Sequence, residues 1–256
     1  MLILAGALFG LVIGSFTNVL IARVPAGEPW VRGSSRCPRC RHDLAWYDNI
    51  PLISWLALSR RCRHCGSPIS GRYPAVELLV ALLWVGIAAA FGATFLALAL
   101  GYLACVTVAL VFIDLDVQRL PDSLVLPSYP IVAALLVADA GVNGAWPSLA
   151  RAAAGVGILG GFYGLVWIVY PAGLGRGDVT TAGLAGMVLG YLGWSEVAVG
   201  AISGPILGGL VVMVGLASRA LTRKSRVPYG PALLLGLWLG VFAGSAIGNW
   251  YVALFT

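Results

Sequence analysis

Charge is what this sequence has least of. Only 10% of its 256 residues are Asp, Glu, Lys or Arg, whereas soluble domains average about 25%. Hydrophobic residues make up 60% of the chain, and the mean hydropathy is +0.93. A soluble fold of this length cannot bury so much apolar surface, because its outer shell must be largely polar. The composition therefore excludes a soluble enzyme, a disordered chain and a nucleic-acid-binding protein, and it indicates an integral membrane protein.

Several stretches without charge are long enough to cross a bilayer, which takes about 20 apolar residues. The first, Met1–Ala22, lacks the basic start of a secretory signal peptide, so we expect a retained span. Leu78–Ile113 would form a helix of about 54 Å, so two spans with a turn near Phe91–Thr94 are predicted. The remaining predicted spans are Ser123–Ala138, Ala152–Ala172, Val179–Leu192, Val197–Ala217 and Tyr229–Phe255, which makes eight in all.

The basic residues indicate the orientation of these spans. If the first span ends inside, 15 of the 16 Lys and Arg residues fall on inner segments and only Arg151 falls outside. Lys and Arg are enriched in cytoplasmic loops, so both termini are predicted outside, and the net charge of +6 needs no nucleic acid to explain it. The inner segments are 23–77, 114–122, 173–178 and 218–228.

Only the first inner segment is large enough for a small extramembrane domain. We therefore predict three parts: a first transmembrane helix at 1–22, a cytoplasmic loop domain at 23–77, and a seven-helix membrane domain at 78–256. The expected fold is an all-α polytopic membrane protein of about eight transmembrane helices.

Four of the five cysteines lie in this loop as two C-x2-C pairs, Cys37 with Cys40 and Cys62 with Cys65. Two such pairs supply four thiolates to a tetrahedral zinc ion, although the 21 residues between them slightly exceed the usual zinc-ribbon spacing. Disulfides are rare in a reducing cytosol. A structural zinc site is favoured, and free thiols or a redox pair are the alternatives. Cys105 lies in an apolar span and is expected to be a small core residue.

The ten acidic residues include Asp114 and Asp178 at the inner ends of predicted spans. Carboxylates at membrane depth are functional candidates, and the alternate glycines before Asp178 predict a non-helical backbone there. Two carboxylates that share a site cannot both ionise easily, so one keeps a proton while the other acts as a base on water. This is aspartic peptidase chemistry. By contrast, Asp139 and Glu196 at outer boundaries are expected to be solvated, and Asp122 or Ser123 is expected to cap a helix.

Eight further motifs, together with the cysteine quartet, resemble the type IV prepilin peptidases, which are bifunctional leader peptidases and N-methyltransferases. They are Gly14-Ser-Phe-Thr-Asn18-Val, Arg23-Val-Pro25, Trp46-Tyr-Asp-Asn-Ile-Pro51-Leu-Ile-Ser-Trp55, Ile69-Ser-Gly-Arg72-Tyr73-Pro74-Ala-Val-Glu77, Ile113-Asp114-Leu-Asp, Leu120-Pro-Asp122, Gly175-Arg-Gly177-Asp178 and Pro228-Tyr-Gly-Pro231. The motifs occur in order through most of the chain.

The resemblance implies that Asp114 and Asp178 are the catalytic aspartates. It also implies that the loop binds metal and takes part in methyl transfer from S-adenosylmethionine, and that the substrates are prepilins or pseudopilins at the cytoplasmic face of the bacterial inner membrane. Arg72, Tyr73 and Glu77 match the motif that joins the loop to the next span, where either a structural or a catalytic role is open. One position departs from the family: Thr180 stands where a lysine is usual, which bears on rate or pH optimum.

Two alternatives remain open from the sequence. A peptidase that lacks methyltransferase activity would share the same motifs, because no residue pattern here identifies a nucleotide pocket. An ion-coupled transporter would also carry intramembrane carboxylates and broken helices. Against the transporter, both aspartates are predicted at one face instead of at the membrane midplane.

Overall fold

A computed structural model describes residues 1–31, 33–171, 173–222, 225 and 227–255. Among the described residues there is no β-strand, only two isolated bridge pairs. Predictions that involve Arg32, Ala172, Arg223, Lys224, Arg226 or Thr256 therefore lie outside the described residues. Three of these six residues are among the four basic residues of segment 218–228.

The described residues form ten α-helices, α1 to α10 in chain order. A 3₁₀ turn at Trp46–Asn49 precedes α2, and a π-helical turn at Val156–Gly160 joins α6 to α7. The α-helices are Leu2–Arg23, Ile53–Ala57, Arg72–Phe91, Phe95–Val117, Asp122–Asn143, Trp146–Gly155, Gly161–Val169, Arg176–Leu192, Trp194–Ala217 and Gly230–Ala253.

The helical membrane fold is confirmed. In the part of the chain described, seven helical segments are long and apolar enough to cross a membrane, and α6 to α7 count as one of them. The predicted turn near residue 92 is present: Gly92 ends α3 with a positive φ of 67°, a conformation that glycine tolerates best. The remaining predicted span, Val179–Leu192, corresponds to α8, which has only 17 residues. The boundaries 1–22, 23–77 and 78–256 remain predictions.

The chain forms two compact units, Met1–Ala109 and Leu110–Thr256. In the first unit α1 packs against α3 through glycines spaced four residues apart. A Cβ on Gly10 would lie 2.7 Å from Ala81 Cα, and a Cβ on Gly14 would lie 2.6 Å from Glu77 Cα. Small residues at this spacing let two membrane helices approach closely. The close packing therefore holds together the two helices that flank the inner loop in sequence.

In the second unit α8 is the central helix, with ten buried residues and contacts to α5, α6, α7, α9 and α10. Its glycines permit this: a Cβ on Gly186 would collide with the backbone carbonyl of Gly155, and a Cβ on Gly190 with that of Arg151. Because α8 is packed on several sides, its first turn, which carries Asp178, is held in a fixed position.

The prediction that Asp139 and Glu196 are solvated is wrong. Asp139 is 5% exposed and accepts a 2.8 Å hydrogen bond from the Tyr191 hydroxyl. Glu196 is 8% exposed and accepts one of 2.6 Å from the Ser245 hydroxyl. Both carboxylates lie at helix ends near the predicted outer face, but neighbouring helices cover them. The positions of these two residues in the sequence do not reveal that neighbouring helices pack over them.

Candidate functional site

The four loop cysteines come together as the spacing predicts. Their Sγ atoms all lie within 4.8 Å of one another, and Cys37 Sγ is 3.9 Å from Cys65 Sγ. Tetrahedral zinc with Zn–S bonds of about 2.3 Å separates its sulfurs by about 3.8 Å. The donor set therefore fits a metal ion, and Cys37 and Cys62 are buried while Cys40 and Cys65 are exposed.

The two C-x2-C turns have the same backbone. In the first, the Arg41 N–H donates to the Cys37 carbonyl at 2.9 Å; in the second, the Gly66 N–H donates to the Cys62 carbonyl at 2.9 Å. Arg41 and Gly66 both have positive φ, 56° and 66°. The backbone N–H of Cys40 donates toward the sulfur of Cys37 and lowers the pKa of that thiol to about 6, despite its burial. Such turns aim two sulfurs at one point, and in the first turn the backbone N–H favours the thiolate of Cys37.

Two histidines lie beside this cluster. The rings of His42 and His64 contact each other with centroids 3.4 Å apart and planes tilted by 37°, so each of the two turns contributes one ring. Neither belongs to the group of sulfurs that can hold the metal.

Asp114 lies near the end of α4, in the part of that helix that belongs to the second unit. It is 5% exposed, and its Oδ2 accepts the backbone N–H of Gly230 at 2.9 Å. A Cβ on Gly230 would lie 2.6 Å from that oxygen. Position 230 therefore requires a glycine, because a residue with a Cβ would keep the backbone from approaching the carboxylate of Asp114 so closely.

Asp178 is the third residue of α8, and its Oδ2 accepts the backbone N–H of Gly175 at 2.8 Å, as in a capping box. The predicted non-helical backbone is present at Gly173 and Gly175, and Gly175 is extended with a φ of −87°. It does not reach Asp178, because α8 already begins at Arg176. Gly177 is needed for another reason. A Cβ there would collide with the carbonyl oxygen of Leu120, so the glycine allows α8 to pack against the segment before α5.

The structure brings the two predicted aspartates into one region. They are close enough for the charge of Asp114 to act on Asp178, although 64 residues separate them in sequence. Each accepts a backbone N–H from the start of a helix, α10 for Asp114 and α8 for Asp178. Backbone donors hold a carboxylate in place without neutralising it as a cation would. Two carboxylates in one region are the groups that aspartic peptidase chemistry requires.

Asp122 is held by α8. The predicted side-chain cap is absent, because α5 has Pro121 at its N-cap and no side-chain cap bond. Instead, Thr180 Oγ1 donates to Asp122 Oδ1 at 3.0 Å, and Arg176 Nε lies 3.5 Å from Asp122 Oδ2. Thr180, the position at which the family resemblance implies a lysine, thus contacts a third carboxylate.

Two tyrosines beside the aspartates were not predicted. The hydroxyls of Tyr163 and Tyr229 are 2.6 Å apart, and the charge of Asp178 acts on both. Tyr229 directly precedes Gly230, and Tyr163 follows the π-helical turn. Such turns frequently mark functional sites. The Pro228-Tyr-Gly-Pro231 motif was the available signal for Tyr229, whereas no motif contains Tyr163.

The fold and the site define a polytopic membrane protein with a paired-carboxylate centre in one unit and a cysteine cluster in the other. The bacterial peptidase A24 N-terminal domain matches residues 8–91, and the type IV leader peptidase family matches residues 101–214. With the relatives described next, these matches show that the chain belongs to the type IV leader peptidase family, and the family resemblance is confirmed. No solved structure matches the chain.

Similar proteins carry the name prepilin leader peptidase/N-methyltransferase. That of Aeromonas hydrophila is 34% identical, and the match covers 97% of this chain and 93% of that protein. That of Stutzerimonas stutzeri is 32% identical, with 98% and 93% covered. That of Myxococcus xanthus is 56% identical over 118 residues, which cover 46% of this chain and 35% of that protein. With the membrane-capable helices, these relatives identify a bacterial inner-membrane protein.

Proposed function

We propose that this protein cleaves the basic leader from type IV prepilins or pseudopilins at the cytoplasmic face of the inner membrane, and then N-methylates the new N-terminal residue. The observation that carries the peptidase half is the pair Asp114 and Asp178, the first buried and the second half-buried, each of which accepts a backbone N–H. Family membership and the relatives' names support both halves.

In the proposed cleavage, the aspartate pair shares one proton. The ionised carboxylate takes a proton from water, and the water oxygen attacks the scissile carbonyl to form a tetrahedral intermediate. The carboxylic acid then donates its proton to the leaving amine, and the C–N bond breaks. The pair titrates as one unit, so the acid and base roles are not divided between Asp114 and Asp178.

The four cysteines Cys37, Cys40, Cys62 and Cys65 would hold zinc, and the bound ion would supply folding energy to a loop that has little core of its own. The distances between the sulfurs support this assignment. S-adenosylmethionine is the proposed methyl donor. With both termini outside, the loop and the aspartate pair would face the cytoplasm, as the distribution of basic residues supports.

Mass spectrometry of a prepilin co-expressed with this protein in cells that lack their own enzyme tests the whole proposal. We expect the prepilin to lose the mass of its leader, and the new N-terminus to gain the 14 Da that one methyl group adds. A cut chain without the added methyl group would leave only the peptidase half. An intact leader, together with ion flux in proteoliposomes that depends on Asp178, would favour the transporter instead.

A further inference from the structure

Thr181, a buried residue of α8, has a hydroxyl without a hydrogen-bond partner. The residue is 2% exposed, and its Oγ1 bonds to no other atom of the part of the chain described. Two other buried side-chain atoms there lack a partner, Trp84 Nε1 and Arg151 Nε, but their residues are only half-buried. Leaving a buried hydroxyl unpaired lowers stability, so the presence of this one calls for a reason.

Other buried hydroxyls in the helices of this chain bond to their own backbone. Three of them donate to the carbonyl four residues earlier, at 2.6 to 2.8 Å: Thr17, Thr107 and Ser128. The equivalent carbonyl for Thr181 is that of Gly177, and the Thr180 hydroxyl already donates to it at 3.1 Å. The helical N–H of Thr181 donates to the same oxygen, so both of its lone pairs are used. The hydroxyl of Thr181 therefore needs a partner from outside its own helix.

The helical period places Thr181 beside Asp178. At about 100° per residue, Thr181 lies about 60° round the helix from Asp178, and Gly177 lies about 100° from Asp178 in the same direction. Gly177 packs against Leu120, since a Cβ there would collide with the Leu120 carbonyl oxygen. Thr181 is therefore one turn further along α8 than Asp178, on the side of the helix that turns toward Leu120.

Asp114 lies in that same direction. A Cβ on Gly230 would be 2.6 Å from Asp114 Oδ2 and 3.0 Å from Leu120 Cδ2, so the Asp114 carboxylate and the Leu120 side chain are neighbours. Thr181 thus points from α8 toward the region between the two aspartates. Buried water molecules typically bond to about three polar groups that otherwise lack partners. A water in this region can bond to a carboxylate and to the Thr181 hydroxyl together.

We infer that the Thr181 hydroxyl holds the water that attacks the scissile bond; the inference rests on the proposed peptidase function and adds a third side chain to its site. One proton of the water passes to the ionised carboxylate as the water oxygen bonds to the carbonyl carbon and the carbonyl π pair moves onto its own oxygen. The second proton stays on the attacking oxygen and is donated in a hydrogen bond to Thr181 Oγ1. This bond fixes the direction of attack. The carboxylic acid then protonates the leaving amine as the C–N bond breaks.

The test separates the hydroxyl of Thr181 from its methyl group. Thr181→Val keeps the shape of the side chain and removes the hydroxyl, whereas Thr181→Ser keeps the hydroxyl and removes the methyl group. Cleavage of a prepilin and thermal unfolding are measured on the full chain in nanodiscs. We expect Thr181→Val to lower kcat at least about tenfold with KM unchanged, because misplacing a reactant by about 1 Å can cost about 10²-fold. Its Tm should be unchanged or higher, since the hydroxyl has no protein partner to lose.

Thr181→Ser should show the opposite pattern. Deletion of a buried methyl group should lower the Tm, but kcat should stay within about threefold of wild type because the hydroxyl that orients the water remains. If Thr181 were merely structural, the rate would follow packing instead. A wild-type kcat in Thr181→Val, a large fall in its Tm, or a Thr181→Ser variant no more active than Thr181→Val would each overturn the inference.

Ser128→Ala is the matched control. It removes from the same unit a fully buried hydroxyl that already has a partner, the carbonyl of Leu124 at 2.7 Å, and kcat should not change. An equal loss of kcat in Ser128→Ala would show that any buried hydroxyl of this unit matters, and would also overturn the inference. These outcomes leave the proposed function intact as long as the wild-type protein cuts the leader. An intact leader with wild type would contradict the proposed function itself, and this inference with it.

Discussion

The two units of this protein assemble their chemistry from the sequence in different ways. In the first unit, four cysteines on two short turns within 29 residues form the metal-binding group. In the second, Asp114 and Asp178 come from α4 and α8 and depend on Gly230 at the start of α10. One centre is local and repeats a backbone motif, whereas the other depends on the packing of three distant helices.

This difference has a consequence for how each centre fails. A C-x2-C turn is fixed by hydrogen bonds within a few residues, so damage to it should remain within the loop. The aspartate pair is fixed by helix packing through close-fitting glycines such as Gly177 and Gly230. We therefore expect the two proposed activities to be separable by substitution, and the predictions below test that separation.

The largest effect is expected from Asp178→Asn or Asp114→Asn. Either change removes the proton exchange of the pair, and general acid–base catalysis contributes about 10²–10⁴-fold. Leader cleavage should fall by at least about 10³-fold, while methylation of a synthetic peptide that begins at the mature N-terminus should persist. Rates are measured on purified protein with a prepilin substrate and with this peptide.

Glu196→Gln is the matched control, because it neutralises another buried carboxylate of the same unit, one bonded to Ser245. Cleavage should stay within about threefold of wild type. If either aspartate variant still cut the leader, the pair would not be catalytic. If both aspartate variants also lost methylation of the cut peptide, the separation of the two activities would fail.

A smaller and different loss is expected from Cys62→Ser. Three thiolates and a hydroxyl hold zinc far less well than four thiolates, so the bound metal should drop well below one equivalent, and methylation should fall more than cleavage. Metal analysis and limited proteolysis of the inner loop measure the change. Cys105→Ser is the control, since Cys105 is a buried cysteine outside the quartet. Full metal content in Cys62→Ser would exclude the quartet as the binding site.

The sequence was sufficient for features that are local or periodic. The helices, the turn at Gly92 and the cysteine pairs all follow from runs and spacings along the chain. Asp114 and Asp178 were found because few carboxylates are present to choose from. Their partners were not found: the Gly230 N–H lies 116 residues from Asp114, and no pattern indicates that Tyr163 contacts Tyr229. The burial of Asp139 and Glu196 escaped prediction for the same reason, because it depends on helices that pack over them.

A moderate effect on cleavage alone is expected from Tyr229→Phe. The change removes one hydroxyl from the 2.6 Å Tyr163–Tyr229 contact near Asp178, and a lost hydrogen bond costs about 1 kcal/mol, or about fivefold in turnover. Tyr163→Phe should act similarly, and the double variant should be little worse than either single one, because both remove the same interaction. Additive losses would show that the two hydroxyls act separately. Donor binding and methylation, measured in parallel, should not change.

The smallest effect concerns Thr180, where the chain departs from its family. Thr180 Oγ1 binds Asp122, and Arg176 already places a cation 3.5 Å from that carboxylate. A lysine at position 180 would therefore add a second positive charge to a group that already has one. Because exposed ion pairs contribute about 0–1 kcal/mol, Thr180→Lys should change the cleavage rate by less than about fivefold.

The same substitution in an Arg176→Gln background shows whether the arginine takes the place of the missing lysine. If it does, Arg176→Gln alone should lower cleavage by a few fold, and Thr180→Lys should restore it. The rescue, measured as a double-mutant cycle, should exceed the effect of the lysine in wild type. Equal effects of the lysine in the two backgrounds would mean that Arg176 and residue 180 act independently. In that case the Arg176 cation near Asp122 would not explain why this chain has threonine at position 180, where the family resemblance implies lysine.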